Sequence, residues 1–343
     1  MDRKIHTHGG DIYRHKHTID FSTNINFRGM PDSVKEAAQK AVEYCVHYPD
    51  STCWKLREAI AMREGISKEH IICGNGAAEL IFSLALAMKP KKALLPAPAF
   101  YEYEQALLSV DCEIQRYMMK EADGFLPQQD FIDSITSQID VVFLCNPNNP
   151  TGMVLEKGFL EKVVGRCEAC DTFLVLDECF NDFLEKSEDY TMKEYIGKSE
   201  HIFILRAFTK MYAMAGLRLG YGLCSNKDFM EKMSVVRQPW SVSIPAQMAG
   251  AVAAKEVQYA LDSTAMIHKE RAFMRAELQK KGYFVLDSKA NYLFFKGPED
   301  LFERCLQKGF LIRDCSNYEG LSKGWYRVSI KSPQDNRKLL SVL

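Results

Sequence analysis

The residues best suited to chemistry lie in one stretch, Arg206-Ala207-Phe208-Thr209-Lys210-Met211-Tyr212-Ala213-Met214-Ala215-Gly216-Leu217-Arg218-Leu219-Gly220-Tyr221. The apolar run Ile202 to Leu205 reads as a buried strand, and Lys210 follows it in a loop. A lysine just past a buried strand can be stripped of water, which favours the neutral amine. A neutral amine attacks carbonyls and can hold a cofactor aldehyde as a Schiff base. Arg218, beside Gly216 and Gly220, can join backbone N–H groups around a phosphate. A lone lysine is ordinarily a solvated charge, so the reading depends on what accompanies it.

Several other stretches carry groups of the same kind. Ile71-Ile72-Cys73-Gly74-Asn75-Gly76-Ala77-Ala78-Glu79 reads as strand, glycine turn and helix start, where free N–H groups and the helix dipole face one point and attract an anion. It is neither a Walker A loop nor a dinucleotide GxGxxG fingerprint. Phe100, in the turn after Ala93-Leu94-Leu95, is either ordinary core or a flat face for a ring to stack on. Asn146-Pro147-Asn148-Asn149-Pro150-Thr151-Gly152 follows the apolar run Val141–Cys145 as a rigid, donor-rich loop. Asp177 ends the run Phe173 to Leu176, where a carboxylate is costly unless paired. Arg313 and Arg327 end or interrupt apolar runs, as anion-binding arginines do. Taken singly, ordinary ion pairs would account for Asp177 and both arginines.

The elements that must hold these groups alternate strand and helix from residue 71 to 224. That pattern predicts a mostly parallel, helix-covered sheet with ligand groups at the strand carboxyl ends. Before it, helices are expected over Pro31–Val46 and over Trp54–Glu64, the second closed by Gly65. From Asn226 to about Lys281 the pattern is helical, broken once at Pro239 and Pro245. Short runs at Tyr283–Leu286, Tyr292–Phe295, Phe310–Arg313 and Trp325–Ile330, with a helix near Asp300–Lys308, predict a small α+β domain. The organisation expected is an N-terminal arm (1–30), a large domain (31–260) and a small domain (261–343). The arm is rich in small polar donors and reads either as a frayed end or as an extended segment returning to line a site.

Composition narrows the class. A chain of 343 residues that is 47% hydrophobic can bury a large core. A formal net charge of -1 gives no bulk attraction to nucleic acid or to an anionic membrane. No apolar run reaches the roughly 20 residues that span a bilayer, and Met1 to Asp20 carries no signal-peptide apolar region. Eleven scattered cysteines suit reduced, buried thiols in a cytoplasmic protein. Neither the single CxxC of Cys167 and Cys170 nor His6, His8, His15 and His17 has partners at metal-ligand spacing, so no metal is expected.

Together, in order and over essentially the whole chain, these stretches resemble the fold-type-I pyridoxal-phosphate (PLP) enzymes, the aspartate-aminotransferase superfamily. The resemblance implies an α/β fold with a mostly parallel sheet in a large domain plus a small α+β domain, and PLP as cofactor. It makes Lys210 the Schiff-base lysine and Asp177 the partner of the pyridine nitrogen, keeping the ring an electron sink. Asn149 would bond the ring O3′, Phe100 would stack on the ring, and Thr209 would stay near the cofactor. Arg218 and the backbone of Gly76, Ala77 and Ala78 would hold the phosphate, joined by Tyr48 of a second subunit in a homodimer. Arg327 would take the substrate carboxylate as a bidentate fork.

Two subgroups compete within that family, histidinol-phosphate aminotransferase and L-threonine-O-3-phosphate decarboxylase of cobalamin side-chain synthesis. His8-Gly9-Gly10-Asp11, Asp20-Phe21-Ser22-Thr23-Asn24-Ile25-Asn26, Lys210–Arg218 and Arg313-Asp314-Cys315-Ser316-Asn317-Tyr318-Glu319-Gly320-Leu321 look like the decarboxylase. They imply that His8, Gly9 and Asn24 line a substrate-phosphate pocket with Arg313. The expected reaction is decarboxylation of L-threonine O-3-phosphate to (R)-1-aminopropan-2-yl phosphate, with aminotransfer as the alternative. The placement of the carboxylate decides between them, because only a bond perpendicular to the ring is broken. The sequence departs from the family at Ala207, where a hydroxyl residue is usual, and at Phe180, where many relatives have tyrosine. Asp11 replaces a more usual asparagine, and Ala77 and Ala78 replace more polar residues. A PLP-binding protein without turnover, a carbon–sulfur lyase and another transaminase are the remaining readings. The joint presence of Lys210, Asp177, Arg218 and Arg327 speaks against the first. The arm and the Arg313–Leu321 stretch speak against the other two.

Overall fold

A computed structural model of the chain describes residues 8–343; His6 and the other residues before His8 lie outside them. Thirteen strands occur among the described residues: β1 (Ile19–Asp20), β2 (Ile71–Gly74), β3 (Lys92–Ala97), β4 (Glu113–Met118), β5 (Val141–Cys145), β6 (Phe173–Asp177), β7 (Ile202–Ala207), β8 (Gly220–Leu223), β9 (Phe284–Val285), β10 (Tyr292–Lys296), β11 (Phe310–Leu311), β12 (Arg313–Asp314) and β13 (Trp325–Ser329). Seven form a central sheet in the order β2-β8-β7-β6-β5-β3-β4. Its pairings are parallel except for the two that β8 makes with β2 and β7.

The middle strands are continuous apolar runs because both faces of the sheet are covered. Alternate residues go to opposite sides. Val142, Leu144, Leu174, Leu176, Ile202 and Ile204 join one core cluster. Val141, Phe143, Val175, Phe203 and Leu205 join the other. Helices Gly76–Met88, Tyr101–Leu108 and Lys157–Cys170 connect successive strands. Helix Trp54–Glu64 ends at Gly65 in the left-handed region, φ +70°, as the sequence predicts for a glycine cap.

A four-stranded antiparallel sheet, β12-β13-β10-β9, forms a second layer. Helix Val257–Lys280 packs against β9 and β10 of this sheet. The N-terminal segment is tied to both parts. Strand β1 pairs in parallel with β11, the Phe21 carbonyl accepts from the Ser329 amide at 2.8 Å, and the Asn26 amide donates to the Lys210 carbonyl at 3.1 Å. Of the two readings of the arm, the described part follows the returning one.

Several local expectations change. Phe310–Arg313 is not one strand. Ile312 breaks it, so that β11 pairs with β1 and β12 pairs with β13. Strands β4 and β8 carry no apolar run; β4 is a half-exposed edge and β8 is the glycine-rich Gly-Tyr-Gly-Leu. The helical region after Asn226 breaks twice, since helix Ile244–Ala253 stops before Val257–Lys280 starts. No proline or glycine marks that second break; Ala253 and Ala254 are buried there, so packing rather than local propensity sets the turn.

Candidate active site

The central sheet gathers the predicted residues because its strands share a direction. Asp177 is the last residue of β6, and Lys210 lies just past β7. Asn149 follows β5 by four residues and Phe100 follows β3 by three. Gly76 opens the helix after β2, and Arg218 precedes β8, whose reversed direction starts it at the same edge. A cavity of about 270 Å³ opens there, lined by every predicted site residue except Tyr48.

Lys210 is not in a loop. It sits on a one-turn helix, Phe208–Met211, immediately after β7. The Asn26 side chain anchors that turn by donating to the Met211 carbonyl at 2.9 Å. Enclosure by protein, and next the positive charge of Arg327, hold the Lys210 amine below the usual lysine range. Its Nζ lies 5.8 Å from the centroid of the Phe180 ring.

Asp177 is buried. Its Oδ2 accepts from the Tyr103 hydroxyl at 2.5 Å and its Oδ1 from the Cys179 amide at 2.9 Å. Burial, with the charge of Asp177 second, pushes the Tyr103 phenol well up, so it stays a donor. Sequence reading passed over Tyr103; its position three residues after Phe100 at a helix start was the available signal. Phe100 meets Tyr103 edge-on, with ring centroids 5.6 Å apart.

Gly76 begins its helix at φ +77°, and a Cβ there would come within 2.6 Å of Arg218 Nη2. The guanidinium therefore lies against the helix N-terminus, where the Ala77 and Ala78 backbone also lines the cavity. Arg218 bonds the Ala215 carbonyl at 3.3 Å. No acid pairs with it among the described residues.

Two more arginines enter from the smaller sheet. Arg313 and Arg327 are directly opposed across β12 and β13, both buried. Like charges in that relation repel. Arg327 Nη2 donates to the Ser22 carbonyl at 2.8 Å and Nη1 to Asn149 Oδ1, while Nε is buried with no partner. That contact takes the Asn149 oxygen and leaves its amide nitrogen as donor. Arg313 Nη2 donates to Asn317 Oδ1 at 2.8 Å, and its guanidinium carbon lies 5.3 Å from the Tyr318 centroid.

The arm supplies the remaining wall. Asp20 organises it, accepting from Ser22 and Thr23 at 2.5–2.8 Å. Gly9 lies so close to Ser22 that a Cβ would come within 2.6 Å of its carbonyl oxygen. Asn24 gives its carbonyl to Asn291 at 2.9 Å, and its Oδ1 is buried without a partner. His8 approaches Glu102 at 3.5 Å; burial first, then Arg313, lowers its pKa from the ordinary histidine value. Asp11 is not among the residues lining the main cavity and pairs with Arg14 at 3.7 Å. Tyr48 is exposed and stacks on Trp240 at 4.5 Å.

These residues fit PLP. The cradle of Gly76 and Arg218 suits a phosphate, Asp177 suits a ring nitrogen, Phe100 offers a ring face, and Lys210 is a desolvated amine. The chain belongs to the aminotransferase class I and II family, whose profile matches residues 16–343; its members use PLP. It is 37% identical to threonine-phosphate decarboxylase of Salmonella typhimurium (strain LT2) over 329 residues, covering 95% of this chain and 90% of the relative. Among solved structures it is similar to the histidinol-phosphate aminotransferase from Clostridium acetobutylicum, with TM-score 0.88 and 29% identity over 94% of this chain and 97% of that one. It is also similar to L-threonine-O-3-phosphate decarboxylase from Porphyromonas gingivalis, with TM-score 0.81 and 25% identity over the same shares. No helix among the described residues is long and apolar enough to cross a membrane.

Proposed function

We propose that this chain is a PLP-dependent carboxy-lyase that converts L-threonine O-3-phosphate to (R)-1-aminopropan-2-yl phosphate and carbon dioxide. The observation that carries it is the cavity's cationic pattern. Arg218 stands at the cofactor end, while Arg313 and Arg327 are opposed at the other, a repulsive arrangement that two ligand anions would offset. A substrate with both a carboxylate and a phosphate supplies them.

PLP, when bound, supplies an electron sink for the bond that breaks. Arg218 and the amides at Gly76, Ala77 and Ala78 would hold its phosphate. Asp177 would keep a proton at the ring nitrogen, Phe100 would offer the ring a face, and the Asn149 amide would be its donor. Thr209 lines the cavity beside Lys210. Lys210, whose amine burial holds below the usual lysine range, would bind the cofactor and would deliver a proton to the substrate carbon once carbon dioxide has left. Arg327, oriented by Asn149 and the Ser22 carbonyl, grips the carboxylate and tilts it. Arg313, His8, Gly9 and Asn24 hold the substrate phosphate, with the arm as the wall that excludes water.

We read residues 8–30 as the described part of the arm, 31–260 as the large domain and 261–343 as the small one. Exposed Tyr48 would reach the phosphate of a second copy in a homodimer. A cytoplasmic setting and a place in cobalamin side-chain synthesis follow from the same reading. Histidinol-phosphate aminotransferase is the second reading, favoured by the higher TM-score of that neighbour. Product analysis of PLP-loaded protein separates them. Carbon dioxide and aminopropanol phosphate from L-threonine O-3-phosphate, with no glutamate from histidinol phosphate plus 2-oxoglutarate, supports decarboxylation. Glutamate alone replaces it with aminotransfer.

A further inference from the structure

Two acids line the cavity, Asp177 and Glu102, and the fold treats them differently. Both oxygens of Asp177 are hydrogen-bonded. Glu178, a buried acid next in the chain, is likewise held by Arg206, Thr191 and the Met192 amide. Glu102 is not: its Oε2 is buried with no hydrogen-bond partner, and its Oε1 is 3.5 Å from His8 Nδ1. Unsatisfied buried oxygens are exceptions in folded proteins and need a reason.

The position of Glu102 supplies one. It stands in the first turn of helix Tyr101–Leu108, two residues after Phe100, against the arm that carries His8. The charges facing it are Lys210 beyond β7, Asp177 ending β6, Arg313 on β12 and His8 on the arm. Glu104, on its own helix, is occupied by Arg116 at 2.5 Å. Glu102 therefore lies between the amine end of the cavity and the Arg313–His8 end. A phosphate ester placed at that second end brings only acceptor oxygens when fully ionised. A carboxylate is also acceptor-only, so the two repel; a carboxylic acid is a donor.

We propose that Glu102 is a specificity-determining residue: it takes up one solvent proton when a phosphate ester binds, and its Oε2–H then donates to a phosphate oxygen beside Arg313 and His8. This rests on the reading that the Arg313 end receives the substrate phosphate. The energetic setting agrees. Burial is the largest influence on Glu102 and raises it to about 7; a hydrogen bond from its own backbone amide, then Lys210 and Arg313, oppose that rise and Asp177 adds to it. Near neutral pH the proton is thus cheaply available. Above pH 7 the free site must regain it, so affinity for phosphate esters falls about tenfold per pH unit.

The test is calorimetric titration of PLP-loaded protein at pH 8 in two buffers of different ionisation enthalpy, which yields protons taken up per ligand. The ligands are (R)-1-aminopropan-2-yl phosphate, histidinol phosphate and, as unphosphorylated control, 1-aminopropan-2-ol. The wild type is expected to take up close to one proton with the ester it binds and none with the control. Glu102→Gln keeps an N–H donor and cannot titrate, so its ester affinity should be flat from pH 7 to 9 and its uptake should fall by nearly one proton. Uptake by His8 or by the phosphate itself would persist in Glu102→Gln. Equal uptake by both proteins overturns the proposal while leaving the decarboxylase reading standing. Equal losses of ester and control affinity in Glu102→Gln also overturn it, as a merely structural effect. Binding of neither ester by the wild type overturns both readings.

Discussion

Gly76→Ala tests the phosphate cradle with a single methyl group. At φ +77° a side chain is strained, and the new Cβ would lie 2.6 Å from Arg218 Nη2 and 3.1 Å from its Cζ. The left-handed conformation costs roughly 1–2 kcal/mol for a residue with a Cβ. The guanidinium must also move, and losing one charge-assisted hydrogen bond to a bound phosphate costs about 1.5–3 kcal/mol. The first cost falls on the cofactor-free fold, the second on cofactor affinity. Expected outcomes are a drop of a few degrees in the melting temperature of cofactor-free protein and a roughly ten- to hundredfold rise in the PLP dissociation constant. Thermal melts and equilibrium titration by visible absorbance read the two separately. Gly165→Ala is the control. Gly165 is exposed in helix Lys157–Cys170 with nothing near its would-be Cβ, and the change should stabilise by about 0.5–1 kcal/mol. Unaltered PLP affinity in Gly76→Ala, with or without a lower melting temperature, would refute the cradle. Equal behaviour of the two alanine variants would refute the geometry beneath it.

Other consequences are open to measurement. Lys210→Ala should abolish both the visible absorbance of bound cofactor and turnover; full turnover would remove Lys210 from the chemistry. Arg327→Ala should weaken carboxylate-bearing ligands far more than PLP, and equal losses would count against its proposed grip. Arg206 and Glu178 form a 2.7 Å ion pair with side chains 7% and 0% exposed. Arg206→Met should therefore lower unfolding free energy by about 3–5 kcal/mol, and Arg206→Met with Glu178→Leu should recover much of it in denaturant titration. Glu102 predicts a pH signature in the cofactor-free protein. Its folded value of about 7 lies above the ordinary 4.5, so its stabilising contribution is present below 4.5 and lost as pH rises through 7. The loss is at most roughly 3 kcal/mol, and Glu102→Gln should erase it; an unchanged profile would show that Glu102 titrates normally.

Much of the site was legible in the sequence because parallel strands leave a signature. A doubly covered strand is an uninterrupted apolar run, so the residue where the run stops marks the sheet edge. That rule alone puts Asp177, Lys210, Asn149 and Phe100 at one edge of the sheet, and the glycine turn at Gly76 likewise. The family resemblance then added order and spacing, from the arm to Arg327. Strands without such runs were not legible: β4 is a half-exposed edge, and β8 takes its place from the neighbours that pair with it.

What only the tertiary structure decided is which groups share partners. Nothing in the spacing says that Tyr103 donates to Asp177, that Arg327 takes the Asn149 oxygen, or that Arg313 and Arg327 stand opposite each other. Those relations join segments far apart in the chain, and register between strands is fixed by the packing of whole faces rather than by local preference. Glu102 is the sharpest case. The sequence shows an acid in the first turn of a helix, a common and uninformative place. The fold buries it beside the arm, leaves one oxygen without a partner and sets it between Lys210 and Arg313. The sequence determines which chemical groups this protein owns and which end of the sheet presents them. Burial and long-range contact, which no local pattern encodes, decide their protonation and their aim.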